Sequence, residues 1–498
     1  MTTTTTVHLR RLAAVGAAAG ALFLAGACSS FFDVPTTNQP ILDDLLNNPT
    51  RGKLAAAATG IFASARGDIQ GMVWRLGSLG REGINLSGNN QPDYQEPYFL
   101  SALIGSGFGG ALWGGRYTAI RNVNTYLTAL GRVSATLPLV GVTDSEKAAA
   151  RGMANTMAAL AFLYVIETRD SLGAPINVDL AISAPPAPFV RKDSVYGHVL
   201  FLLDSARADL TRAGNTAFPF IVPPGLSGAA LNALDFSTPP LFLQFNRALA
   251  AKARILRATA AGCGTSCYTA ALADLAASFL SGPSANFKKG AYFDFSNAAG
   301  DVSNGLSEPL NGFTYYAHPS DSVDAQRQAG GLPDQRVIDK IVPAVDTQTL
   351  GGIAEIPGQQ KFTIYFTGGS LPDPGHPIPI IRDEELVLLR AEAEWFTGSK
   401  APALADLDSV RVNSGKLAPT ASIPLTVASP DSVFVKELLY NRRYSLLWEQ
   451  GTRWIDARRF GRMGDIPKAP PTGGNVAKVM PIPDTECAAR GLAVNCTP

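Results

Sequence analysis

The chain has 498 residues, 46% of them hydrophobic, and its 42 basic and 41 acidic side chains give a formal charge of only +1. That is enough apolar sequence for a large core, which excludes disorder and a collagen-like repeat; near-neutrality excludes nucleic-acid binding through bulk positive charge.

The first segment reads as an export signal. Arg10 and Arg11 precede an uncharged run from Leu12 to Ala27, shorter than the ~20 residues a spanning helix needs and of the kind a signal peptidase removes. Ala25-Gly26-Ala27-Cys28 resembles a bacterial lipobox, in which Cys28 becomes the lipidated first residue. Loss of residues 1–27 takes Arg10 and Arg11 with it and leaves 40 basic against 41 acidic side chains. No other uncharged apolar run approaches 18 residues, so the mature chain is expected to be soluble and held to a membrane by its lipid. The other cysteines, Cys263, Cys267, Cys487 and Cys496, fall in two close pairs. Each pair suits a small-loop disulfide in an oxidising compartment, and neither has the C-x2-C spacing of a metal site.

Helical periodicity follows in chain order. Trp113, Tyr117, Ile120, Val123 and Leu127 share one face, as do Met157, Leu160, Ala161 and Tyr164. Further stripes are Val195, Val199, Leu202, Ala206 and Leu210; Phe242, Phe245, Leu249, Ala253 and Leu256; and Leu386, Leu389, Ala393 and Phe396. Near the end, Ser429, Pro430 and Asp431 read as N-cap, first helical residue and first-turn acid. Pro-, Gly- and Asn-rich stretches such as 84–97, 218–232 and 367–380 separate these helices. The pattern predicts a mostly α fold, a helical scaffold carrying long irregular loops, with helix pairs such as 113–127 and 152–168 but no 34-residue repeat.

Catalytic signals are weak. The four histidines, His8, His198, His318 and His376, make no metal-binding spacing, and Ser227 in GLSGA lacks a nucleophile elbow. Gly105 to Gly110 formally fits G-x-G-x-x-G but is followed by a Trp/Tyr helix with no βαβ unit. Arg453, Arg458, Arg459 and Arg462 alternate with Trp454, Asp456 and Phe460, as buried ion pairing and stacking would require. No enzyme, cofactor or metal is therefore expected. Aromatics beside amide- and acid-rich loops are the better site candidates. Trp74, Tyr94, Tyr98, Tyr315 and Tyr316 offer flat rings for sugar faces, and Asn90 and Asp93 offer partners for hydroxyls.

Several blocks then resemble one family. Cys28 to Pro35, ALWGGRYTAIRNVNTYL (111–127), AALAFLYVIETRDSLGAPI (158–176), Asp334-Gln-Arg336, PIPIIRDEELVLLRAEAEW (377–395), ALADLDSVRVNSG (403–415), NRRYSLLWEQGTRWIDARRFGR (441–462) and PIPDTE (481–486) are similar, in order, to motifs of the SusD/RagB family of outer-membrane nutrient-binding lipoproteins. The family's glutamate before the arginine pair is missing, since Tyr440 and Asn441 precede Arg442 and Arg443. The resemblance implies an α-helical fold on four tetratricopeptide-like helix pairs, running from residue 28 to 498 as an N-terminal part (about 28–215), a variable middle (about 215–310) and a C-terminal part (about 310–498). It also implies a lipid-anchored protein at the outer-membrane surface that binds an oligosaccharide and hands it to a SusC-like TonB-dependent transporter. A peptide ligand on the same scaffold, or a secreted carboxylate-dependent hydrolase, are the alternative readings.

Overall fold

The structure, a computed structural model, describes residues 42–85, 102–181, 183–260, 262–346, 359–468 and 475–497. Cys28 lies outside the described residues. Helices of eight residues or more are α1 (Arg51–Arg66), α2 (Ile69–Leu79), α3 (Gly114–Arg132), α4 (Asp144–Arg169), α5 (Lys192–Ala213), α6 (Pro239–Ala260), α7 (Gly264–Ala276), α8 (Asp383–Phe396), α9 (Lys400–Asn413), α10 (Asp431–Ser445) and α11 (Thr452–Arg459). Four pairs, α1 with α3, α4 with α5, α6 with α7 and α8 with α9, stack through α3 on α4, α5 on α6 and α7 on α8. Each pair thus buries a face it could not bury alone. The third pair occupies the middle that no motif reached.

Helix α4 is the keystone of this stack. Its start is fixed by a capping box: the Thr143 hydroxyl accepts from the Glu146 N–H, and the Glu146 carboxylate accepts from the Thr143 N–H. From Ala148 onward nearly every residue is buried, seven of them alanines that let neighbours close in from all sides. Gly152 extends this logic, since a Cβ there would run into Leu210 of α5. The helix is long and apolar enough to cross a membrane, yet 89% of its most apolar window lies inside the protein. An all-round apolar helix belongs in such a core.

Helix α10 begins one residue later than its sequence suggests. Pro430 is the cap residue, and the Ser429 hydroxyl instead accepts from the Thr426 N–H. The basic block is buried and paired: Arg459 makes two bonds of 2.5 and 2.6 Å to Glu392 and a third to Asp456, which also takes Arg442. Arg458 lies over the Trp454 ring. Where the family glutamate is missing, Asn441 Oδ1 accepts from Arg336, whose main partner is Asp334, and the Tyr440 hydroxyl donates to Asp334. Cys263 is bonded to Cys267 and Cys487 to Cys496.

A small antiparallel sheet crosses the helical layer. Its strands β1 (Gly83–Asn85), β3 (Tyr315–Ala317), β4 (Ile341–Pro343) and β5 (Gln360–Phe362) lie in the order β1-β3-β5-β4, while β2 (Gly290–Phe293) pairs with β6 (Ile378–Arg382). The glycine-rich 105–110 segment has a packing role. Gly105 O accepts from the Asp484 N–H, its N–H donates to Asn495, and a Cβ on Gly105 would collide with Asp484 and Ile482. Other ties join distant parts of the chain: Glu82 accepts from the Trp448 and Arg453 N–H groups, Arg458 donates to Glu167 O, and Met480 N–H to Thr168 O.

Candidate ligand-binding site

Antiparallel pairing sets Asn85 opposite Tyr315, Ile84 opposite Tyr316 and Gly83 opposite Ala317. The strand that leads into residues 86–101 is thereby fixed beside the Tyr315–Tyr316 strand. Trp74, from α2, reaches the same place, with its ring 6.4 Å from Tyr315 and 5.6 Å from Phe108. Tyr315 in turn meets Trp448, which stacks on Phe362 at 4.5 Å. The result is a row of five aromatic rings, Phe108, Trp74, Tyr315, Trp448 and Phe362, beside the end of β1.

The row is held from several directions. The Arg75 guanidinium lies 4.4 Å from the Trp74 ring centre. Trp448 takes a left-handed backbone, φ 58, which an L residue adopts only when its surroundings impose it. Here its N–H donates to Glu82 and its carbonyl accepts from the Tyr365 hydroxyl. Glu308 accepts from the N–H groups of Thr314 and Tyr315 and pairs with Lys361. Burial pushes Glu308 up, but Lys361 and these N–H groups override it and hold its carboxyl below the ordinary value.

The candidate residues part company at the strand. Tyr315 is half-buried, whereas Tyr316 is 1% exposed, beneath Lys361, with its hydroxyl donating to Gly312 O or Asp346 O. Successive side chains of a strand face opposite sides, so one of the two tyrosines had to turn inward. Trp74 is 8% exposed within the row. Asn90, Asp93, Tyr94 and Tyr98 lie outside the described residues. Phe108 and Trp448 carry no signal of a site role in the sequence, because one sits in a glycine-rich run and the other in a block that reads as scaffold.

Behind the sheet lies a buried polar cluster. His318 N–H donates to Glu82 O, and the ring Nδ1 accepts from the Ser320 N–H and lies 2.9 Å from the Ser320 hydroxyl. Burial, then Arg453, Arg81 and Arg443, hold His318 well below its ordinary value, so it is neutral. Asp321 is held by Arg443 and not by the imidazole, so Ser320, His318 and Asp321 do not form a nucleophilic relay. Among the described residues no group of three or more His, Cys, Asp or Glu side chains is placed to hold a metal ion.

Four stacked helix pairs and a small four-stranded sheet, with a row of aromatic rings at one edge, define a helical repeat-like scaffold. The chain has the SusD-like fold: it superposes on NanU of B. fragilis with a TM-score of 0.62 at 14% identity, covering 92% of this chain and 99% of that one. A SusD superfamily protein from Bacteroides vulgatus gives 0.62 at 14%, covering 89% and 98%, and a laminarin-binding SusD-like protein gives 0.57 at 16%, also covering 89% and 98%. No family model matches the sequence, and no curated protein matches it.

Proposed function

We propose that the chain is a SusD-type outer-membrane lipoprotein that binds an oligosaccharide and delivers it to a SusC-like TonB-dependent transporter. Residues 1–27 serve as its signal peptide, Cys28 carries the lipid at the cell surface, and residues 28–498 form the mature protein. The single observation that carries the binding assignment is the meeting of Trp74 and Tyr315 beside the end of β1, the strand that precedes residues 86–101 in the chain. Flat rings stack on sugar faces, and Asn90, Asp93, Tyr94 and Tyr98, which follow β1 in the sequence, add hydroxyl partners and further rings. Tyr316 supports this strand from beneath. The SusD-like scaffold and its laminarin-binding neighbour favour a glycan over other ligands.

Two measurements test the proposal. Calorimetry of the mature protein against a panel of glycans, laminarin oligosaccharides included, and short peptides is expected to give binding to glycans; binding to peptides alone assigns a different nutrient. A detergent pull-down of the full-length protein from its native membrane is expected to bring a large β-barrel with it, and recovery of the lipoprotein alone contradicts the delivery role.

A further inference from the structure

A cavity of about 630 Å³ opens between the β2–β6 ribbon, the start of α8, the end of α9 and residues 335–340. It shares no lining residue with the aromatic row. Its size lies within the range of small-ligand sites.

The charges around it do not balance. Six cations line it: Lys288, Lys289, Arg336, Lys340, Arg382 and Lys416. Three of them are satisfied by the protein. Arg336 is paired with Asp334 at 2.6 Å, Arg382 with Glu384 and Glu449, and Lys340 donates to the carbonyls of Tyr444 and Ser445 with Glu449 nearby. Lys288, Lys289 and Lys416 have no carboxylate within 4.0 Å among the described residues, and Asp339 is the one lining acid without an ion pair there. Three cations without an ion pair among the described residues, against one such acid, therefore line a concave surface of a chain whose formal charge is +1, a local excess of positive charge.

The rest of the lining suits a polyhydroxylated molecule. Asn232, Asn413 and Ser284 provide amide and hydroxyl groups, above a floor that includes the buried Phe287 and Pro377. His376 Nδ1 lies 2.9 Å from Pro377 O, so that nitrogen carries the proton and Nε2 is left as an acceptor. Burial lowers this histidine, keeping it neutral.

We infer that this cavity is a second sugar site, selective for a uronate-bearing saccharide. Its carboxylate lies among Lys288, Lys289 and Lys416, and its hydroxyls meet Asn232, Asn413 and His376. The inference rests on the reading of the chain as a glycan-binding lipoprotein, but it uses separate residues and can fail separately.

The test is calorimetry of the mature protein with digalacturonate and a hyaluronan disaccharide, with digalactose as neutral control and sodium sulfate as a simple anion. Expected are binding of at least one uronate probe, roughly tenfold weakening in Lys288→Gln/Lys416→Gln, weakening as sodium chloride rises, and unchanged binding in Tyr315→Ala. The inference is overturned by absence of uronate binding, by equal binding of digalactose, by sulfate competing as well as the sugar, or by loss of uronate binding in Tyr315→Ala with none in the lysine variant. Neutral-glycan binding that persists while uronate binding fails overturns this site and leaves the aromatic one standing.

Discussion

Gly77 lies flat against the indole of Trp448, so close that a Cβ on the glycine would stand 2.6 Å from the ring. Gly83, at the start of β1, meets the same ring from the next element. Two bare backbones therefore let α2 and β1 wrap the tryptophan that joins Tyr315 to Phe362 in the aromatic row.

Gly77→Ala sets two effects against each other. Alanine in a helix is worth up to about 1 kcal/mol over glycine, but overpacking a filled core costs about 1–3 kcal/mol. The clash wins, and a net loss of roughly 1–2 kcal/mol is expected in urea unfolding; a stabilised variant would show that Trp448 has room to move.

Tyr315→Ala is the cleaner probe of binding, because this ring is half-buried while Trp74 is almost wholly packed. A loss of about 1–3 kcal/mol in glycan affinity is expected, with unfolding little changed. Trp74→Ala is expected to weaken both, since its ring also supports Phe108. Unaltered affinity in both variants would move the site away from this end.

Glu392→Gln is expected to cost about 3–5 kcal/mol of stability. The carboxylate and Arg459 are each almost wholly buried, and removing one charge strands the other. Chemical denaturation reads this directly, and a change within 1 kcal/mol would mean that Asp456 alone suffices for the arginine.

Stability is expected to peak in mildly acid solution. Burial pushes Glu82 and Glu167 up to about 7 from an ordinary 4.5, and neither Glu167 oxygen meets a protein donor. A raised carboxyl binds its proton more tightly folded than unfolded, so its contribution is full below 4.5 and is lost as pH rises through 7. Glu384 behaves oppositely. Burial raises it, but Arg382, Ser414 and Lys340 prevail and hold it at about 2, so its contribution is present above 4.5 and lost below. Melting temperatures taken from pH 3 to 9 are expected to fall on both sides, and Glu167→Gln is expected to flatten the alkaline limb by on the order of 3 kcal/mol. An alkaline limb untouched by that substitution would assign it elsewhere.

Much of the scaffold was legible because helical stripes survive as local patterns. The faces of α3, α5 and α6 could be read from residues 113–127, 195–210 and 242–256, even where no family motif reached. The aromatic row was not, since Trp74, Tyr315 and Trp448 meet only through strand pairing and packing between segments hundreds of residues apart. Tyr315 and Tyr316 read alike as loop aromatics. Only the alternation of a strand, visible once β1 and β3 pair, separates the half-buried ring of the candidate site from the buried ring beneath it. The start of α10 failed for a smaller reason: the Ser429 hydroxyl had a nearer donor, in its own turn.

The long-range ties to Glu82 and Thr168 also bear on how the protein is made. All three donors come from the last stretch of the chain, Trp448 and Arg453 for Glu82 and Met480 for Thr168. Any nascent or truncated form ending before Trp448 carries Glu82 without these donors and leaves the end of α4 uncovered. Contacts of such high sequence separation are the slow ones to form. The N-terminal half of the scaffold therefore depends on about the last fifty residues for its closing hydrogen bonds, so folding is completed only when the tail is present.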